Sequence, residues 1–67
     1  MISNKALYAL YIGNREVWRD TGTFAELRER HHSLIGSKAK FERMLAMGES
    51  TEPIDPRIMT AHYVGVP

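Results

Sequence analysis

Lys38, Lys40 and Arg43 are the residues whose types and spacing best suit a ligand. Gly36-Ser37 stands just before them, a pair at which one helix can stop and another start. The two lysines then occupy the first turn of a new helix. Cations there oppose the helix dipole, at a cost of roughly a few tenths of a kcal/mol each. An incoming phosphate would offset that cost, because helix N-termini attract anions. The exposed face around them carries Ala39, Arg43 and Ala46, and the two alanines are small enough to allow close approach to a groove. No Asn or Gln lies on that face, so Arg43 alone could read a base edge, with guanine as its natural partner. The chemistry to expect is weak, backbone-directed binding of nucleic acid. The competing explanation is an ordinary solvated helix face, where lysines are common.

Other constellations are poorer. His31 and His32 are adjacent, so a helix points them about 100° apart, and no second ligand accompanies them at helical spacing. His31 falls on an apolar stripe, as a core or boundary histidine does. His62 lies in an extended stretch and could face either way. No metal or other cofactor is expected, and the absence of cysteine excludes disulfides and thiolate zinc. There is no Gly-rich phosphate loop and no nucleophile motif. Glu16 and Asp20 read as solvated strand acids rather than an acid/base pair. Sixty-seven residues also have difficulty enclosing a substrate. Neither catalysis nor a small-molecule substrate is expected.

Nine basic residues against eight acidic ones leave a formal charge of +1, too little for a strong general field. The signs are segregated, however. Arg28, Arg30, Lys38, Lys40 and Arg43 make the middle basic, and Glu49, Glu52 and Asp55 make the next stretch acidic. The apolar run Ala6–Ile12 is short and is followed at once by turn residues and Arg15, unlike a signal peptide. No segment approaches transmembrane length. A cytoplasmic protein without membrane contact is expected, forming a single domain over residues 1–67. A chain this short buries only about 60% of its unfolded surface. Without disulfides it must rely on a compact core or on self-association, and its four methionines suit both.

The corner Asp20–Glu26 organises the elements. Thr23 followed by Glu26 has capping-box spacing, and Gly22 would let the chain bend from strand into helix. Upstream, residues 1–5 read as a frayed start. Ala6–Ile12 reads as a strand apolar on both faces, and hence central. Gly13-Asn14 is a hairpin signal; if these two residues are the whole loop, Leu10 stands opposite Val17 and Ala9 opposite Trp18 in the returning strand, Arg15–Thr21, and a longer loop would shift this register. Downstream, Phe24, Leu27, His31, Leu34 and Ile35 share one face of a helix over Phe24–Ile35, with Glu26 and Arg30 as an i,i+4 pair. Gly36 stops it. Ser37 caps a second helix, Lys38–Met47, that buries Phe41, Met44 and Leu45 and stops at Gly48. The rival is one continuous heptad-like helix. Pro53 and Pro56 keep Glu49–Arg57 a loop, and Thr60–Val64 closes the chain as a strand. The fold expected is α+β, a three-stranded antiparallel sheet packed on two helices in the order ββααβ.

The run Tyr8–Asn14, then a second strand, then Gly22-Thr23-Phe24-Ala25-Glu26-Leu27, resembles short phage and prophage proteins of Gram-positive bacteria. These pair an N-terminal hairpin with a Gly-Thr helix start and a helix-turn-helix-like pair. The resemblance spans roughly residues 6–47 and implies regulation or host interference rather than catalysis. In this chain His32 stands where that turn usually has a small residue, and Ser37 where it has an apolar one. The expectation is therefore a small accessory protein that binds nucleic acid through its second helix, using Lys38, Lys40 and Arg43. The alternative is a protein-interaction module, a homodimer or host-factor binder, that uses its apolar sheet face or a strand edge.

Overall fold

A computed structural model describes residues 4–67, so most of the expected frayed start lies outside the described residues. The chain runs β1 (Leu7–Ile12), β2 (Val17–Thr23), α1 (Phe24–Arg30), α2 (His32–Ile35), α3 (Lys38–Glu49) and β3 (Met59–Gly65). The sheet is antiparallel in the order β2-β1-β3. The fold is the expected α+β arrangement, with the first helical stretch divided in two. The strand that is apolar on both faces is the central one. Tyr8 and Leu10 turn toward the helices, while Ala9, on the opposite face, is covered between Thr21 and His62.

The hairpin departs from expectation. Its loop has four residues, Gly13–Glu16, so Ile12 pairs with Val17 and Tyr11 with Trp18. Arg19 is then an extra residue, and beyond this bulge Leu10 pairs with Asp20 and Ala9 with Thr21. The cause is tertiary. The Gly13 N–H donates to the Ile58 carbonyl (2.6 Å), and the Gly13 carbonyl accepts from the Thr60 hydroxyl (2.7 Å). Gly13 is thus tied to the chain entering β3 and is not free to form a two-residue turn. Both Gly13 (φ +73°) and Arg15 (φ +64°) take left-handed conformations, and the second is uncommon for a residue with a side chain.

The strand-to-helix corner forms as its spacing predicts. The Thr23 hydroxyl accepts from the Glu26 N–H (3.2 Å), and the Glu26 carboxylate accepts from the Thr23 N–H (2.9 Å). Gly22 plays a different part from the one expected. It remains in β2, paired with Tyr8, and its missing side chain leaves room for the Arg30 guanidinium, which a Cβ would approach to 2.8 Å.

The helical stretch Phe24–Ile35 breaks at His31 (φ −124°, ψ 47°). Consecutive helical residues point about 100° apart, yet the side chains of Arg30 and His31 both reach one carboxylate, that of Asp20. The unwound turn makes that possible. Arg30 accordingly turns to Asp20 rather than forming an ion pair with Glu26. Gly36 (φ +62°) ends α2, and the Ser37 hydroxyl caps α3 by accepting from the Lys40 N–H (3.2 Å), so residues 24–47 do not form one continuous helix.

Tyr8, Leu10 and Ala61 from the sheet meet Phe24, Leu27, Ile35, Phe41 and Met44 in the core. Phe41, fully buried, is its hub. Its ring meets those of Tyr8 and Phe24 edge-on, with centroids 5.2 and 5.0 Å away. Such aromatic pairs contribute roughly 0.5–1.5 kcal/mol beyond area burial. Leu45 packs at the margin, and Leu34, expected inward, is exposed. Gly48 does not stop α3. It is buried within the last turn, and the helix runs to Glu49 with Ser50 as its cap.

Candidate nucleic-acid interface

Lys38, Lys40 and Arg43 are all exposed on α3, and among the described residues none of them forms an ion pair. They do not form one patch. At 100° per residue, Lys38 and Lys40 stand about 160° apart around the helix axis, and Lys40 and Arg43 about 60° apart. Lys38 looks toward α1 and α2, sharing a hollow with Arg28, Glu29 and His32. Lys40 and Arg43 look the other way, over a groove floored by Met44 and Met47. Between the two flanks lies the exposed Ala39, with Ala46 two turns on. Two acids temper the charge, since Glu42 and Glu49 are exposed on the Lys38 side.

The start of α3 has free donors. A helix N-terminus leaves its first N–H groups without intrahelical partners. The Ser37 N–H donates to the Ile35 carbonyl (2.6 Å), and the Lys40 N–H is taken by the Ser37 hydroxyl. The N–H groups of Lys38 and Ala39 are those left to meet an anion.

Sequence reasoning missed two polar clusters. Asp20 is no solvated strand acid. Its carboxylate accepts from Arg30 Nε (2.9 Å), approaches His31 Nε2 to 2.8 Å and accepts from the Thr21 N–H (2.8 Å). The Arg30 guanidinium, then His31, hold its pKa down at about 2. His31 is accordingly a partly covered boundary residue, bound to Asp20 rather than set in the core. The second cluster is buried. The Thr60 hydroxyl has one hydrogen and donates it to the Gly13 carbonyl, so at the 2.9 Å contact His62 Nε2 must be the donor. In the neutral ring that selects the Nε2–H tautomer. Burial, and then the charge of Arg15, push the His62 pKa below its ordinary value. No spacing rule could have found either cluster, because each joins residues from separate elements.

Among the described residues no group of three or more acids and histidines is placed to hold a metal ion, and no helix is long and apolar enough to cross a membrane. No protein-family model matches the chain, and no curated protein or solved structure matches it either.

Proposed function

We propose that this is a small, non-enzymatic accessory protein of phage type that acts in the cytoplasm and binds nucleic acid weakly through the N-terminal half of α3. The supporting observation is that Lys38 and Lys40 flank Ala39 on opposite sides of one helical turn, with Arg43 a turn further along. An α-helix with its side chains is about 10–12 Å across, and the major groove of B-form DNA is about 12 Å wide. A helix end laid in that groove with Ala39 toward the floor has one lysine for each phosphate wall. Arg28 extends the Lys38 flank, and Arg43 extends that of Lys40. The likeness to phage proteins with a helix-turn-helix-like pair accords with this. The test is titration of a labelled duplex at several salt concentrations. Binding that weakens steeply with salt is expected, and no binding at low salt overturns the proposal.

One observation favours a second reading, a protein-interaction module. Trp18 is 58% exposed on β2, an edge strand, and its indole N–H donates to the Thr21 hydroxyl (2.8 Å). Val17 beside it is exposed too, and unpaired edges invite a further strand. Sedimentation at rising concentration separates the readings, since pairing of copies along β2 makes the protein a dimer that Trp18→Ser weakens.

A further inference from the structure

Three of the four methionines converge on one groove. Met44 and Met47 of α3 and Met59 of β3 line a hollow of about 350 Å³, together with Leu34 and Ile58. Leu34 is 45% and Ile58 39% exposed, so the hollow presents apolar surface to water rather than to the core. Methionine is the side chain best able to reshape itself around an incoming group. The hollow lies near the bottom of the roughly 300–1,000 Å³ of small-ligand clefts. It is enough for a side chain or two and not for a whole helix.

The groove continues. Met47 and Ile58 also line a second hollow, with Pro53 and Ile54 completing its apolar lining. The second hollow is the more polar, with Ser50, Glu52 and Asp55 beside its four apolar residues, and the two hollows together offer apolar surface to two side chains from one partner segment. Residues spaced i and i+4 on a helix, about 5–6 Å apart, meet that need. The rims differ in charge. Lys40 and Arg43 border the first hollow, neither of them in an ion pair among the described residues. Glu52 and Asp55 border the second, and Asp55 is already engaged by Arg57 (2.8 Å).

We infer that this double groove seats an amphipathic helical segment of a protein partner, with two apolar anchors one turn apart and carboxylates beside the anchor that enters the Lys40–Arg43 end. Charge complementarity sets the direction in which the segment lies, because carboxylates at the opposite end would meet Glu52. This interface is distinct from edge strand β2 and goes beyond the nucleic-acid proposal, although it shares Lys40 and Arg43 with it.

The probe is a fluorescein-labelled helical peptide of about 16 residues, long enough to hold a helix, with two leucines at i and i+4 and glutamates next to the first. Two control peptides carry alanines for the leucines, or the glutamates moved to the second leucine. Polarisation should show saturable binding, weakened at least about tenfold, or 1.4 kcal/mol, in each control. Leu34→Glu, a change at an exposed position, should weaken the first peptide equally, and Arg43→Glu should do the same, with circular dichroism confirming that both variants fold. The inference is overturned if the peptide does not bind up to about 1 mM, if the controls bind as well, or if folded Leu34→Glu binds unchanged. It is also overturned if the protein sediments as a dimer that Leu34→Glu dissociates, for then a second copy fills the groove. The assay contains no nucleic acid, so its result stands whether or not duplex binding is found.

Discussion

Gly48 and Ala61 approach so closely that a Cβ on the glycine would stand 2.5 Å from the Ala61 carbonyl oxygen. The same Cβ would meet the His62 ring at 2.8 Å. This approach seats the last turn of α3 on β3. In an open helix, replacing glycine with alanine stabilises by about 0.5–1 kcal/mol. Here the obstacle is backbone, which cannot swing aside, and overpacking of that kind costs about 1–3 kcal/mol. Gly48→Ala should therefore destabilise on balance and lower Tm by several degrees. A raised Tm in a thermal melt would place α3 further from β3.

Thr23 and Glu26 satisfy each other's backbone N–H groups at the start of α1. Thr23→Ala should cost about 1 kcal/mol of stability. Urea denaturation measures it, and a midpoint matching the parent's, with an unchanged slope, would show that the cap adds nothing.

Acid should lower the stability of the protein in two stages. The folded-state pKa of His62 lies below 6.5, so the unfolded chain binds its proton first, and stability falls as pH drops below 6.5. Asp20 falls to about 2 in the fold from 3.8, so its contribution is complete above pH 3.8 and is lost between there and about pH 2. His62→Gln keeps a donor for Thr60 and should flatten the upper stage. Asp20→Asn should flatten the lower one. Melts from acid to neutral pH test both, and an upper stage that persists in His62→Gln would assign it to another group.

Lys38 and Lys40 sit beside the positive end of the α3 dipole, so replacing both with alanine should leave Tm unchanged or slightly higher. The same double variant should bind duplex DNA more weakly. Its log–log salt slope should become shallower by about 0.9 for each phosphate that is no longer neutralised. An unchanged slope and affinity would remove the lysines from the interface.

Local chemistry along the chain settles much of this protein. The Thr23–Glu26 cap, the Gly36-Ser37 break, the Ser37 cap and the apolar doubling of β1 each depend on neighbours within a few residues, and periodicity reveals them. The identities of Lys38, Lys40 and Arg43 are likewise legible. Their separation around the helix axis follows from their spacing, whereas what each flank faces depends on which side of α3 is buried, and Phe41 and Met44 settle that by packing against the sheet. Other features depend on residues far apart in the chain. Ile58 and Thr60 draw Gly13 out of a two-residue turn. Asp20 gathers Arg30 and His31 where spacing alone predicts a straight helix. Ala61 requires a glycine at position 48 inside the helix rather than beyond its end. Met59 completes the groove from across a loop. Sequence spacing holds no record of such meetings, because they arise only once α1 folds back on β2 and closure of the β1–β3 pair brings the last strand against Gly13 and α3.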